Sequence, residues 1–550
     1  MQRHRHGTTS RLGRHKQITL ALGLALGLTT FQIHAHASVE SSARIQQDSP
    51  AATLMRRAAA AGIDVPADLP YFIERHSARI AKSGAASPKA THTVTSCADS
   101  GPGTLRAAVS FATSGDVIDL SGLNCHINLT SSIVTSVASL TIRRDPDTQP
   151  TKYGIRGNNA IRPLLHTGTG TLTLDGVMVA SGRTSSSPGD AGIARGGCIY
   201  SAGTVTLKNQ ADVKYCTARN DSGAAEGGAI FAASRVNVEN GGRVHNSQAI
   251  AGSGHARGGG IFSPTVVLRG GLVTKNTANA GESLIANGGG VHASKAVNTK
   301  YASIEDNKTI GGTALNNAGG GMWVGGDSSV IKYSTFSGNQ ADGGAALVFG
   351  HSSGSTGSLT LRSSTIANNL SRASSSKYGG AISLAGNATI QNSTISGNIE
   401  KNTQNEKYGA GISLESGVQL SMSSTILAGN TLDEGTPSDI GTIQNTGSAT
   451  LTGTRNMIGW QNANITIPDG NLIIGIESPR LDPLADNGGL TKTMAPRGNS
   501  AAIDQGAANG LSVDQRGTGF PRVYGAQADI GALERSPAEA NIFSNGFEPD

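Results

Sequence analysis

The sequence predicts an all-β chain built as a parallel β-helix of about ten to twelve coils. Three observations predict it: glycine is abundant, aromatic residues are scarce, and a glycine-led motif returns at a nearly constant interval. The chain has 75 glycines and 18 prolines among 550 residues. This composition favours many turns and thin layers over one large enzyme core.

Two sequence markers define the repeat. The first is the leading glycine of motifs such as GGAI, at Gly196, Gly227, Gly258, Gly288, Gly319, Gly343, Gly379 and Gly409. Most intervals are 30 or 31 residues, and one of 24 followed by one of 36 keeps their sum. The second marker is Cys216, Asn246, Asn276, Asn307, Asn339, Asn369, Asn398 and Asn430. Each unit holds about three short β runs, as in a parallel β-helix whose coils stack at about 4.8 Å.

Both markers have a physical reason in stacked coils. Paired glycines allow positive φ where a coil turns sharply. Asparagine tolerates the left-handed conformation, and its amide can hydrogen-bond the amide of the next coil. We therefore expect an internal ladder of Asn246, Asn276, Asn307, Asn339, Asn369, Asn398 and Asn430. The residues three places before most of these asparagines should fill the core, namely Val273, Ile304, Phe336, Ile366 and Ile395.

The segments outside the repeats are predicted to have separate roles. Residues 1–37 combine five Lys/Arg, a short apolar run and an Ala-His-Ala site, which predicts a cleaved signal peptide. Residues 38–90 carry Ala/Arg-rich signals of a short helical, flexible leader. Residues 91–165 are predicted to form an N-terminal cap and the first coils, with one short helix in TLRAAVSFA. Residues 166–470 hold the repeats, and no later segment is apolar enough for a transmembrane helix.

The net charge and the cysteines narrow the functional classes. The chain has 44 basic and 38 acidic residues. Once the five basic residues of the signal peptide are removed, the net charge is only +1. A nearly neutral chain without a dense basic patch argues against nucleic-acid binding. In an exported chain the four cysteines should form disulfides, Cys97 with Cys125 and Cys198 with Cys216. There is no CxxC and no histidine at zinc-ligand spacing, so we expect no metal and no cofactor.

The residue before each glycine motif is the candidate ligand-facing position. Together with two neighbouring lysines, this predicts a column of Arg195, Glu226, Arg257, Lys377, Tyr378, Lys407 and Tyr408. In stacked coils Arg195, Glu226 and Arg257 alternate in charge at about 5 Å spacing. One interpretation is a surface ladder that only holds the register of the coils. The sharper interpretation is a polysaccharide groove in which the two lysines face a uronate.

No catalytic residue is predicted. A glycosidase needs two carboxylates at a separation suited to acid and nucleophile or base roles. Glu226 and Asp342 are about four coils apart, roughly 20 Å, which is too far for cooperation. The two tryptophans, Trp323 and Trp460, are sparse as sugar-stacking platforms. No Ser/His/Asp arrangement follows from spacing alone.

Several motifs carry a family resemblance. The GGAI-type motifs alternate with FSGN, VTKN, IEDN, IANN and ISGN, which resembles the GGA[ILV]/FxxN repeats of polymorphic outer membrane proteins and related bacterial β-helix proteins. DSGPGTLRAAVSFATSGDVIDLSG, residues 99–122, resembles the start of many such secreted proteins. Residues 486–534, from DNGGLTKT to DIGALE, resemble the choice-of-anchor Q domain. The resemblance implies a right-handed, pectin-lyase-like solenoid whose Q-like region, residues 471–535, caps the C-terminal end and precedes a tail, residues 536–550.

The resemblance also implies a function. It suggests an exported protein of a Gram-negative bacterium, extracellular or associated with the outer membrane, that is adhesive, structural or glycan-binding without catalysis. Its partner would be a cell-surface glycan or protein. The alternative is an extracellular polysaccharide lyase or glycoside hydrolase that acts on acidic polysaccharide.

Overall fold

A computed structural model describes residues 89–145, 153–186, 189, 192–281, 284–311, 317–352, 356–372, 378–401, 409–443, 448–461 and 465–536. The predicted signal peptide, nearly all of the predicted leader and nearly all of the predicted tail lie outside the described residues. The chain from Ala90 onward forms one compact unit.

The predicted all-β, right-handed parallel β-helix is confirmed. One coil begins with β16 (Ala224–Glu226), turns at a glycine pair, and continues through β17 (Ile230–Ala232) and β18 (Arg235–Glu239). It then forms β19 (Arg243–His245), turns a left-handed corner and forms β20 (Gln248–Ala251). Each strand pairs in parallel with its equivalent in the next coil. The described residues form about nine full coils, fewer than the ten to twelve predicted.

Four sheets contain all the strands of the described residues. Sheet A has 22 strands, with two from most coils: β1 (Thr91–Thr93), β2 (Val117–Asp119), β4 (Ile133–Thr135), β5 (Leu140–Arg143), β7 (Leu164–His166), β8 (Thr171–Asp175), β12 (Ile199–Ser201), β13 (Thr204–Lys208), β17, β18, β22 (Ile261–Arg269), β26 (Val291–Lys300), β29 (Met322–Val324), β30 (Ser329–Lys332), β33 (Leu347–Phe349), β34 (Leu359–Arg362), β37 (Ile382–Leu384), β38 (Ala388–Gln391), β41 (Ile412–Leu414), β42 (Gln419–Ser423), β45 (Ile440–Thr442) and β46 (Thr450–Thr452). Sheet B has thirteen: β3 (Ile127–Asn128), β6 (Gly154–Arg156), β9 (Met178–Ala180), β14 (Asp212–Lys214), β19, β23 (Leu272–Thr274), β27 (Ser303–Glu305), β31 (Thr335–Ser337), β35 (Thr365–Ala367), β39 (Thr394–Ser396), β43 (Ile426–Leu427), β47 (Met457–Ile458) and β48 (Leu472–Ile473).

The two smaller sheets complete each coil. Sheet C has nine strands: β10 (Arg183–Thr184), β15 (Thr217–Asn220), β20, β24 (Thr277–Ala280), β28 (Lys308–Ile310), β32 (Gln340–Ala341), β36 (Leu370–Ser371), β40 (Ile399–Glu400) and β44 (Thr431–Leu432). Sheet D has four: β11 (Ile193–Arg195), β16, β21 (Ala256–Arg257) and β25 (Ala286–Asn287). A 3-10 turn, η1 (Asp433–Gly435), follows β44.

The short helix predicted near the N-terminal end is present as α1 (Leu105–Phe111). The hydroxyl of Thr104 caps it by accepting from the N–H of Ala107 at 3.3 Å. Leu105 and Val109 are buried against the first coils. The helix thereby covers apolar surface at the N-terminal end of the described coils.

The core is a stack of aligned apolar side chains. On sheet B, Val273 pairs with Ile304, Ile304 with Phe336, and Phe336 with Ile366. These residues and Ile395 are at most 1 % exposed, as predicted from their spacing before the asparagines. Each coil therefore buries its apolar face on its neighbours.

Buried asparagines line the corner between sheets B and C. The backbone N–H and the side-chain amide of Asn339 both donate to Oδ1 of Asn369, at 3.0 and 2.9 Å. The same amide donates to the carbonyl of Ile304 at 2.8 Å. The pattern repeats along Asn276, Asn307, Asn339, Asn369, Asn398 and Asn430. The ladder ends on Oδ1 of Asp439, and burial raises the pKa of Asp439 to about 6 against its hydrogen bonds.

Asn246 does not belong to this ladder, and its prediction is wrong. Ser247 takes the place, because its N–H donates to Oδ1 of Asn276 at 3.1 Å and its hydroxyl accepts from the N–H of Cys216 at 3.2 Å. Asn246 lies one residue earlier, at φ 51°, and its amide contacts His245 on the outside. In the sequence the asparagine of HNSQ stands one place too early, and only the corner geometry distinguishes the two neighbours.

A second buried ladder, which the sequence analysis did not predict, precedes the strands of sheet B. Each backbone N–H donates to the side-chain oxygen of its equivalent in the next coil, at 3.0 to 3.4 Å, along Ser334, Ser364, Ser393, Thr425, Asn456 and Asn471. Its sequence signal is a Ser or Thr two places before Phe336, Ile366, Ile395 and Leu427.

Both predicted disulfides are present. Cys97 bonds Cys125 across the N-terminal cap, with Cα atoms 6.2 Å apart. Cys198 bonds Cys216 within one coil, with Cα atoms 5.4 Å apart. The second bond joins the glycine turn to the position that asparagine occupies in later coils.

Most of the C-terminal region lies against the side of the solenoid, whereas the prediction placed it over the C-terminal end. Residues 479–535 return along the outer face of sheet B. The hydroxyl of Thr335 donates to the carbonyl of Lys492 at 2.6 Å, and the N–H of Ala532 donates to the hydroxyl of Thr394 at 3.0 Å. Because these contacts fall on several coils, the region lies along the side of the solenoid.

The DQRG sequence of this region forms the contact with sheet B. The Gln515 side chain accepts from the hydroxyl of Thr365 at 2.7 Å and donates to that of Thr335 at 3.0 Å. Asp514 and Arg516, both fully buried, pair at 2.8 Å. The glutamine thus inserts between two coils while the ion pair holds its loop.

Candidate functional site

The predicted charged column exists, and its members bind one another. β11, β16, β21 and β25 place Arg195 beside Glu226 and Glu226 beside Arg257. Nε of Arg195 lies 2.8 Å from one carboxylate oxygen of Glu226, and Arg257 lies 3.5 Å from the other. Glu226 is 6 % exposed. The carboxylate is therefore occupied within the protein.

An aromatic column lies beside these charges and was not predicted. Tyr200, Phe231, Phe262, His292 and Trp323 stack on successive strands of sheet A, with ring centroids 4.4 to 5.5 Å apart. The Arg195 guanidinium lies 5.0 Å from the Phe231 ring. Burial lowers the pKa of His292 well below its usual range, so its ring packs neutral in the stack. The charges and rings together make a packed flank.

Tyr378 is also packed within the protein. Its ring meets the His351 ring edge-on with centroids 4.6 Å apart. His351 contacts Glu415 through Nδ1 at 3.0 Å and Ser383 through Nε2 at 3.3 Å. A serine, a histidine and a carboxylate thus lie in one hydrogen-bonded series. Because Ser383 is 0 % exposed, a substrate does not reach its hydroxyl. Lys377, Lys407 and Tyr408 lie outside the described residues.

An open groove at the corner between sheets B and C has the features expected of a binding site. Its volume is about 520 Å³, within the range of roughly 300–1,000 Å³ that is usual for ligand sites. Polar side chains from five successive coils line it: Tyr215, Asn246, Gln248, Lys275, Thr277, Asp306, Lys308 and Gln340, with Gly338 at one end. We call this the corner groove.

The backbone of the corner presents these side chains to solvent. Tyr215, Asn246, Lys275 and Asp306 have φ between 51° and 55°, each one residue before a ladder position. The ladder residue turns inward, so the corner residue before it turns outward. At Gly338 the φ is 65°, and a Cβ atom would collide with the Asp306 carboxylate. A side chain at this position would displace the Asp306 carboxylate.

One wall of the groove is held by a buried carboxylate. Asp212 accepts from Nε2 of His245 at 2.8 Å and from the Lys214 ammonium at 2.6 Å. Desolvation opposes the ionisation of Asp212, but these partners outweigh it and lower its pKa. His245 in turn contacts Asn246 at 2.7 Å, and its ring lies edge-on to Tyr215. The Asp212 network orders the side chains at this end.

The other end of the groove adjoins the C-terminal region. The Lys492 ammonium lies 3.1 Å from the carboxylate of Glu305, the residue before Asp306. Glu305 is thus neutralised, and Asp306 is the one carboxylate among the residues that line the groove. A glycosidase pair of carboxylates is therefore not formed by these residues. The described residues also contain no group of three or more His, Cys, Asp or Glu placed to bind a metal.

The sequence contains a signal for the groove that the glycine and asparagine markers do not include. The residue before each ladder position is large and polar in four coils and glycine in three of the next four. A turn position that tolerates glycine but carries Tyr, Lys or Asp points to a role for the side chain.

Comparisons of the chain with protein-family models, with curated proteins and with solved structures give no match. The likeness to polymorphic outer membrane proteins and to the choice-of-anchor Q domain thus rests on the sequence motifs alone.

Proposed function

We propose that the protein is an exported, surface-associated or secreted β-helix that binds an extended glycan in the corner groove without catalysing its cleavage. The observation that carries this proposal is a solvent-open, polar groove along five coils whose lining holds a single carboxylate. The fold supplies a rigid support, because each lining residue sits next to a ladder residue that fixes its backbone.

The lining suits a ligand rich in hydroxyl groups. Amides at Asn246, Gln248 and Gln340 both donate and accept hydrogen bonds, as sugar hydroxyls do. Tyr215 is 53 % exposed and offers a flat apolar ring with a polar edge. Polar contacts along the groove and a stacking surface at one end together favour a glycan over an apolar peptide.

Export is part of the proposal. Disulfides persist in oxidising compartments, and both cysteine pairs are bonded. The leading 37 residues carry the signal-peptide pattern. No helix in the part of the chain that the structure describes is long and apolar enough to cross a membrane. We propose the extracellular space or the outer-membrane surface of a Gram-negative bacterium as the location.

The test measures glycan binding by the mature protein, using affinity electrophoresis on a panel of neutral and acidic polysaccharides. Tyr215→Asn removes the stacking ring and keeps a residue that tolerates the left-handed corner. Together with Gln248→Ala it should weaken binding at least about tenfold, the equivalent of 1.4 kcal/mol. Gln419→Ala, on sheet A away from the groove, is the matched control.

Two outcomes would count against the proposal. If no polysaccharide retards the protein, or if the Tyr215 and Gln248 variant binds as tightly as the control, the groove is not the site. New reducing ends or unsaturated uronate products would favour the alternative lyase or hydrolase. Cell fractionation with surface proteolysis tests the location separately.

A further inference from the structure

We infer that the glycan bound in the corner groove is a uronate-containing, polyanionic chain that lies along the axis of the solenoid, with Lys275 and Lys308 as the residues that select its carboxylates. This inference rests on the proposed glycan binding and names the class of ligand. It assigns the selecting charges to the corner between sheets B and C, away from the charged column on sheet D.

The two lysines are available for a ligand. Both are exposed, and neither has an ion-pair partner among the described residues. Other lysines near the groove are already paired, Lys214 with Asp212 and Lys492 with Glu305. Ammonium groups without an internal partner on the wall of a polar groove attract carboxylates, and charge-assisted hydrogen bonds are the stronger kind.

Asp306 does not cancel these charges. It occupies the corner of the coil that carries Lys308, one coil beyond Lys275, and it lies more than 4.0 Å from both ammonium groups. Its carboxylate is directed to Gly338 in the following coil. The lining therefore carries two lysines against one aspartate, and its net charge is positive.

The register of the coils sets the direction of the ligand. Lys308 pairs with Thr277, which pairs with Gln248, so the groove advances one coil at a time parallel to the axis. Five coils span about 20 Å at the usual strand spacing. A single sugar meets one or two coils, whereas an extended chain meets all of them. Affinity should therefore rise with the length of the oligosaccharide until the groove is filled.

The experiment compares two polymers with the same sugar backbone, one with charged carboxylates and one with uncharged methyl esters. Polygalacturonate and its fully methyl-esterified form are titrated into the mature protein by calorimetry at low and at moderate salt. The variants are Lys275→Gln, Lys308→Gln and the double change, and Lys295→Gln, an exposed lysine on sheet A, is the control. Thermal melting checks that each variant is folded.

The inference expects the acid to bind at least about tenfold more tightly than the ester at low salt, with the preference reduced by added salt. The double variant should lose the preference, while Lys295→Gln keeps it. Equal binding of acid and ester by the unchanged protein would overturn the inference and leave glycan binding standing. So would a preference that survives the double change. Failure to bind either polymer would also overturn the inference, whereas the proposed function falls only if no polysaccharide of the panel binds.

Discussion

The two halves of the solenoid share one coil geometry and fill it with different chemistry. We call residues 192–311 the N-terminal half and residues 317–443 the C-terminal half. The corner positions of the N-terminal half are Tyr215, Asn246, Lys275 and Asp306, and those of the C-terminal half are Gly338, Asn368, Gly397 and Gly429. The same left-handed backbone thus carries long polar side chains in one half and almost none in the other.

The inner column of sheet C shows a second contrast. In the N-terminal half it reads Ala218, Ala249, Ala278 and Thr309, and in the C-terminal half Ala341, Ser371, Glu400 and Leu432. Alanines let the coils approach closely without polar groups to satisfy. Glu400 is buried, and neither carboxyl oxygen has a side-chain hydrogen-bond partner among the described residues.

The two halves also differ in whether other parts of the chain cover their outer face. The C-terminal half has its outer sheet B covered by residues 479–535, and both polar ladders run through it. The asparagine ladder begins in the N-terminal half, at Asn276 and Asn307. The N-terminal half leaves that face open and replaces the asparagine of one coil with a disulfide. Under the proposed function, the open half presents side chains to a ligand, while the covered half gains the packing of residues 479–535.

The largest expected effect concerns Glu400. Burial raises the pKa of Glu400 to about 8 from its ordinary value of 4.5. The folded state holds the proton of Glu400 more tightly than the unfolded state does. The contribution of this proton to the free energy of unfolding is therefore complete below about pH 4.5 and is lost as the pH rises through about 8. We expect Glu400→Gln to stabilise the protein by a few kcal/mol at about pH 9, and hardly at all at about pH 4.

Urea unfolding across this pH range measures the Glu400 effect. Burial also raises the pKa of Asp439 to about 6 and that of Glu534 to about 7, so the difference between variant and parent isolates Glu400. Glu477→Gln changes an exposed glutamate and is the control. Parallel profiles for parent and Glu400→Gln would show that this carboxyl is not held in a buried site.

The asparagine ladder gives the next largest effect. Asn339→Ala leaves the backbone N–H of Asn307 without its acceptor inside the core. The expected loss of stability is about 1–3 kcal/mol. Asn246→Gly removes the same side chain from an exterior corner whose positive φ glycine adopts easily, and should change stability by about 0.5 kcal/mol or less. Thermal melting measures the stability of both variants. Equal losses of stability would indicate that Asn246 belongs to the buried ladder.

Gln515 makes buried contacts between the coils and residues 479–535, which we call the covering region. Gln515→Ala removes hydrogen bonds to Thr335, Thr365 and Thr491 from a site that is 0 % exposed. We expect a local loss of about 1–2 kcal/mol and faster hydrogen exchange of residues 479–535 with the coils unaffected. Gln419→Ala on sheet A is the matched control. Uniform exchange over coils and covering region alike would mean that the two unfold as one unit.

The smallest effect is expected in the charged column. Arg257 is 37 % exposed and lies 3.5 Å from Glu226, so Arg257→Gln should cost about 0–1 kcal/mol. Arg195→Gln should cost more, because Arg195 is closer to Glu226 at 2.8 Å and also covers the Phe231 ring. Thermal melting at low and at high salt ranks the two changes, and the reverse order would contradict the roles assigned to them.

Periodicity alone predicted much of the fold. The spacing of the glycine motifs identified equivalent residues in successive coils, which predicted the parallel β-helix, the buried residues from Val273 to Ile395 and six ladder asparagines. It also placed Cys216 at a ladder position beside Cys198. These features depend only on which residues are equivalent from coil to coil, and a sequence repeat states that directly.

The tertiary structure decided the features that depend on direction and cover. At the corner, adjacent residues turn opposite ways, so Ser247 and not Asn246 enters the ladder. On the outside, Arg195, Glu226 and Arg257 bind one another in ion pairs. The corner groove stays open because residues 479–535 return along the other half of sheet B. Contacts between segments far apart in the chain set both outcomes, and the repeat alone does not contain them.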